Sequence, residues 1–327
     1  PDAEIVGSVN LGRLWDGALA QQSLNDATLG PLLKPILDEM KKETILGLDE
    51  ISKITVGVSG VADVAKLALS VPDGPDKEKM IEKAGFEKVI PAMVVRLRSA
   101  VTPAHLAAMG QKMEKTTLDG KTVYVFAQDP GEPRGLVYQV DEKTVVFSVE
   151  RFIKQLIATG DPYTPRPDLA FVDGSQDFVV AVTLPEPLTI PLPPGFSGSP
   201  DAQQPAMQSL LGLNGKLKGL GLGMKTLEDG SMALRLQGLS SDEAGSMSGK
   251  LALEEALKLG EQWLFPLKQN TFIAEQIKPL EDGLKGSKVT QTGPEFGFLA
   301  AFKMPQDQNL LVTLLLPAIQ QSRDAAL

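Results

Sequence analysis

Leu46-Gly47-Leu48 leads into the apolar run Ile54-Thr55-Val56-Gly57-Val58, and the same order returns as Leu211-Gly212-Leu213 ahead of Gly219-Leu220-Gly221-Leu222-Gly223. A second pair follows: Met93-Val94-Val95-Arg96-Leu97-Arg98 is answered by Met232-Ala233-Leu234-Arg235-Leu236-Gln237, and each runs into a capped helix. We read the chain as two tandem copies of one folding unit. Shared positions of a duplicated scaffold serve folding, so function belongs where the copies differ. Those places carry no recognisable catalytic pattern.

Around these landmarks the first copy opens on a strand, Ile5 to Leu11, followed by a short helix over Arg13 to Gln22. A second helix starts at Gly30-Pro31, its apolar face formed by Leu33, Ile36, Leu37 and Met40 at spacings of three and four. Strands over Lys53–Ser59 and Lys66–Val71 join at Gly60, and a charged helix over Asp76–Ala84 stops at Gly85. Thr102-Pro103 opens the helix that carries His105, Leu106, Met109 and Met113. Asp119-Gly120 and Asp141-Glu142 mark hairpin turns, and the helix through Phe152 and Ile157 stops at Gly160.

Prolines 162, 165 and 167 with Gly174 read as a linker over 161–176, between a first unit at 1–160 and a second at 177–304. The second copy then has a strand over Asp177–Leu184 and an irregular proline-rich excursion over Pro185–Pro205. A hairpin turns at Asp229-Gly230, helices span Met247–Leu264 and Thr271–Leu284, and two strands close the copy. Residues 305–327 are expected to form a C-terminal helix or a connector to a further region. Strands joined mostly by hairpins favour an α+β fold, each unit a mainly antiparallel sheet with helices packed on one face.

Composition narrows the chemistry. The 41 acidic residues outnumber the 32 basic ones, giving a net charge of -9 that repels phosphate backbones and excludes nucleic acid as a partner. With no cysteine, disulfides, zinc–thiolate sites and thiol nucleophiles are excluded. No stretch reaches the roughly 20 apolar residues of a membrane span. The chain begins at Pro1, which points to a processed export signal or a trimmed sequence.

The candidate residues are few. His105 is the only histidine and has no Gly-x-Ser-x-Gly partner motif, which leaves it as a surface residue. Asp173, Ser175 and Asp177 present oxygens at alternate positions, as a hard-cation loop does. The following glycine and closing Glu of such a loop are missing, so a capped turn is the better reading. Gly219, Gly221 and Gly223 lack dinucleotide-loop spacing and instead suggest a strand face pressed against other chain. Asp49-Glu50, Glu254-Glu255 and Glu281-Asp282 are sequence neighbours whose side chains diverge. No catalytic residue and no cofactor is assigned.

Leu314-Leu315-Leu316-Pro317-Ala318-Ile319-Gln320-Gln321-Ser322-Arg323-Asp324-Ala325-Ala326 resembles the Leu-Leu-Pro-Ala-Val-Gln, then Arg-Glu-Ala-Ala, segment of the planctomycete pseudopilin-like secreted family, whose function is undefined. The resemblance covers about a dozen residues and lacks the upstream Phe-Thr-Leu-x-Glu motif of true pseudopilins. It implies an exported protein, in the periplasm or at the cell surface, with another protein of the cell envelope as partner. The expected function is a non-catalytic binding or structural module; the alternative is a hydrolase with dispersed carboxylates or a Ser-Lys pair.

Overall fold

Short β-branched runs separated by tight turns form strands here, and all of them join one sheet. The computed structural model describes residues 3–17, 50–71, 74, 76–102, 113–126, 134–160, 166–187, 189, 205–267 and 271–303, with isolated positions 21, 25, 31 and 35. Its strands are β1 (Ile5–Val9), β2 (Ile51–Ser59), β3 (Ile90–Leu97), β4 (Met113–Leu118), β5 (Lys121–Phe126), β6 (Gly135–Gln139) and β7 (Thr144–Val149). Then follow β8 (Phe178–Thr183), β9 (Leu217–Thr226), β10 (Met232–Ser240), β11 (Lys288–Thr292) and β12 (Glu295–Phe302). The helices are α1 (Leu11–Asp16), α2 (Val61–Ser70), α3 (Lys77–Lys88), α4 (Glu150–Thr159), α5 (Pro205–Leu213), α6 (Glu243–Leu267) and α7 (Thr271–Lys285).

The twelve strands run in the order β11-β12-β10-β9-β8-β1-β2-β3-β7-β6-β5-β4, and each paired neighbour is antiparallel. The sheet is therefore continuous rather than split into one sheet per half. Its join is β1 with β8, where Gly7 lies opposite Val180. Outward from that join the order is β1-β2-β3-β7-β6 on one side and β8-β9-β10-β12-β11 on the other; β5 and β4 extend the first side alone.

One cross-strand row makes the relation concrete. Val137, Phe147, Met93, Val56, Gly7, Val180, Leu222, Leu236, Phe298 and Val289 are successive partners across ten strands. All ten therefore lie on one face of the sheet, here called the upper face. Opposite Met93 in this row stands Leu236, four positions beyond the Met232 of the letter-by-letter match.

Helices cover both faces, not one. On the lower face, Ile153 of α4 is fully buried with Val123, Val125, Leu136 and Val146. On the upper face α6 and α7 lie over β10, β11 and β12. A second buried cluster, Ile51, Val95, Leu97, Val137 and Val145, fills the upper face of the first half. An open sheet twelve strands wide has two faces to shield, and one helical layer cannot shield both.

Other expectations are corrected as well. Of residues 66–71, read as a strand, 66–70 belong to α2 and Val71 caps it, because Lys66-Leu67-Ala68-Leu69 has strong helix formers and no β-branched residue. Gly60 does open the element: its φ is +80°, and a Cβ there would lie 2.2 Å from the Lys88 carbonyl oxygen, so only glycine fits. The charged helix passes through Gly85 and ends at Lys88. The described part of the stretch read as a linker contains a 3-10 turn at Pro167–Leu169, and Phe171 is buried. Met113, expected on the helix after Thr102, instead begins β4. The rest of that helix with His105, the helical face from Leu33 to Met40, most of the proline-rich excursion and the C-terminal segment lie outside the described residues.

Candidate functional site

Three members of the upper row, Val56, Met93 and Phe147, are direct neighbours on β2, β3 and β7. They form the floor of a cleft of about 1080 Å³. Phe126 from β5 joins them, its ring stacked against Phe147 with centroids 6.2 Å apart and planes 21° from parallel. One wall is the end of α3 and the start of β3, with Gly85, Val89 and Pro91; the other is Gly135 and Val149. Ser148 Oγ donates to the Pro91 carbonyl at 2.7 Å, tying β7 to β3 at the wall. Val56 stays 40% exposed on the floor, an apolar side chain left open to solvent.

Apart from Ser148 at the wall, the polar side chains among the described lining residues lie at the mouth. Arg134 precedes β6, and Glu150 and Arg151 open α4; the Glu150 N–H donates to the Arg134 carbonyl at 3.2 Å and holds the two segments together. The Glu150 carboxylate accepts from Lys154 at 2.7 Å and lies 4.0 Å from Arg134 Nη1. The Lys154 hydrogen bond, ahead of the two neighbouring positive charges, holds the Glu150 carboxyl below its usual range. Glu150 is thus a stably ionised partner of Lys154 rather than a poised base. Arg151 is exposed and has no ion-pair partner among the described residues. Among the described residues, two arginines stand at this mouth against one lysine-bound glutamate, a local positive balance on a chain of net charge -9.

The cation-loop candidates lie elsewhere. Asp173 accepts from the Ser175 N–H at 2.9 Å, Gln176 Nε2 at 2.7 Å and Arg235 Nη1 at 3.1 Å. The Ser175 side chain is the largest of the influences that hold its carboxyl below the usual aspartate range, with Gln176 and Arg235 adding to it. Asp177 is 2% exposed; it accepts from the Thr226 N–H at 2.7 Å and faces Arg13 Nη1 at 3.5 Å. Ser175 offers its carbonyl to the same Arg13 at 2.6 Å. Two arginines therefore supply the positive charge that a cation would bring. Among the described residues no group of three or more His, Cys, Asp or Glu side chains converges as metal ligands.

Several of the other carboxylates and serines have partners of their own. Glu254 pairs with Lys250 at 3.7 Å and Glu255 with Lys258 at 2.6 Å along α6. Ser240, Ser246 and Ser248 donate their hydroxyls to backbone carbonyls. The glycine stripe is closely packed, as its spacing suggests, but chiefly against side chains rather than another backbone. Gly219, Gly221 and Gly223 face the lower side, where Phe171, Val172 and Gln176 press on them; added Cβ atoms would lie 2.8, 2.9 and 2.8 Å from those side chains. The cleft residues Val56, Met93, Phe126, Phe147, Arg134 and Arg151 carried no sequence signal, because they come from five separate segments.

No protein-family model, curated protein or solved structure matches this chain. Among the described residues no helix is long and apolar enough to cross a membrane.

Proposed function

We propose that the chain is a non-catalytic binding module of the extracytoplasmic space, built from two tandem copies of one α+β unit, and that the first copy's cleft receives its partner. The cleft carries this reading: its floor is apolar and open, and Glu150, its one carboxylate among the described residues, is bound to Lys154. Ligand sites are concave, largely apolar and furnished with a few placed polar groups, and this one has that make-up.

The duplication is supported by the palindromic strand order about β1 and β8, and by the row in which Val137 and Phe147 answer Val289 and Phe298. Function should then lie where the copies differ, and here the reading is consistent. Phe126 comes from the β4–β5 hairpin that only the first side has, whereas α6 and α7 lie over the outer strands of the second. The extracytoplasmic setting is supported by the absence of cysteine and by the resemblance of residues 314–326 to the pseudopilin-like secreted family.

The test uses Nile red, a neutral dye that fluoresces in apolar sites. Native protein should give saturable, single-site enhancement, and Val56→Arg, at an exposed position, should remove it with an unchanged far-ultraviolet spectrum. A non-saturating signal, or full binding by Val56→Arg, would overturn the proposal. Ester or glycoside hydrolysis by the purified protein, lost on Glu150→Gln, would replace it with the hydrolase alternative.

A further inference from the structure

From the charge at its mouth, we infer that the cleft selects a single-chain amphiphile with an anionic head, of the long-chain carboxylate class. This rests on the cleft being a binding site and adds what it prefers. The floor, Val56, Met93, Phe126 and Phe147, offers hydrocarbon and ring surface with no buried polar group to satisfy, so it suits an alkyl chain. Its volume of about 1080 Å³ stands at the upper end of ligand clefts, roughly 300–1,000 Å³, and admits a flexible chain with solvent still at one side.

The polar groups lie to one side of this floor, on the segment before β6 and on the first residues of α4. Arg134 and Arg151 are cationic, and the one carboxylate beside them among the described residues already has Lys154 at 2.7 Å. At 4.0 Å, Arg134 makes only a loose pair with Glu150, so its guanidinium can turn to a carboxylate in the fork geometry arginine favours. A cationic head would meet two arginines, while the glutamate that could offset them is engaged. The surrounding protein is acidic, so the local positive charge distinguishes the cleft from the general surface.

Isothermal titration with dodecanoate and dodecylammonium, each below its micelle concentration, tests this on the full chain. Dodecanoate should bind one to one, at least tenfold more tightly than dodecylammonium. Affinity should rise about two- to fourfold per methylene from octanoate to dodecanoate, the upper value being that of full burial. Arg134→Gln with Arg151→Gln, both exposed positions, should weaken dodecanoate tenfold or more with an unchanged far-ultraviolet spectrum. Equal affinity for the two heads, or dodecanoate binding unaltered by the double substitution, overturns the anionic preference although the cleft itself stands. Loss of Nile red binding in the unsubstituted chain sinks the cleft as well. Tighter binding of an acidic apolar peptide than of dodecanoate would overturn the lipid class in favour of a protein ligand.

Discussion

Gly249 of α6 lies directly against the ring of Phe296: a Cβ at Gly249 would sit 2.6 Å from three of its ring carbons. From the neighbouring strand Gly238 makes the same allowance, with a ring carbon 2.1 Å from where its Cβ would be. Two glycines thus form a slot in which a phenylalanine 4% exposed locks helix to sheet.

In an ordinary helix Gly→Ala adds about 1 kcal/mol of stability. Here Gly249→Ala should instead lower it by about 1–3 kcal/mol, because the ring has no room to retreat. Urea unfolding measures the sign directly, and a stabilised variant would show that the slot is looser than described. Combining Gly249→Ala with Phe296→Leu should cost less than the sum of the two single changes, since the smaller side chain frees the space.

Phe171 makes the equivalent closure on the lower face. It is buried, and its ring carbons lie 2.8 and 3.0 Å from the position a Gly219 Cβ would take. Phe171→Ala should therefore cost about 3–5 kcal/mol, the figure for emptying a buried aromatic site. Limited proteolysis should leave residues 171–177 intact in the native chain and cut there in the variant. Equal cleavage in both would restore the reading of this stretch as a free linker.

Asp177 and Arg13 are separated in sequence but joined at 3.5 Å, with the aspartate 2% exposed and the arginine half open to solvent. Arg13→Ala leaves a buried carboxylate with the Thr226 N–H as its remaining partner, a loss of about 3 kcal/mol. Adding Asp177→Asn removes that charge while an oxygen can still accept from Thr226. The double variant should therefore be more stable than Arg13→Ala alone. The reverse order would show that the pair contributes through something other than charge.

Asp173 sets an acid limit. Its folded carboxyl is held below the unfolded value of about 3.9, so folding favours the ionised form. That contribution is fully present above the unfolded value and disappears as pH falls through the folded one. Asp173→Asn should lose stability at pH 6 yet show a flatter decline below about pH 4, measured by denaturant unfolding across pH. Parallel curves for the two proteins would exclude Asp173 as a contributor to acid unfolding.

What could be read in the sequence was local. The Asp119-Gly120 turn has φ of 48° and 77°, Gly160 stops α4 at φ 68°, and Gly230 turns the β9–β10 hairpin at φ 78°. Each follows from the neighbouring residues, since only glycine and a few polar residues enter that region cheaply. The alternating glycines at 219, 221 and 223 also revealed close packing, although not that Phe171 would supply it. Lys66-Leu67-Ala68-Leu69 was misread because a short apolar run has no period long enough to separate strand from helix.

By itself, the sequence determined where the hairpins turn, that no thiol chemistry is possible, and that the chain is acidic overall. Only the tertiary structure decided that β1 pairs with β8, that the strands make one sheet, that helices lie on both faces, and that Val56, Met93, Phe126 and Phe147 meet under two arginines. Turns are fixed by steric limits within a few residues. Strand partners are chosen by the apolar area buried over the whole sheet, and backbone groups, being alike in every residue, carry no mark of the partner they will find.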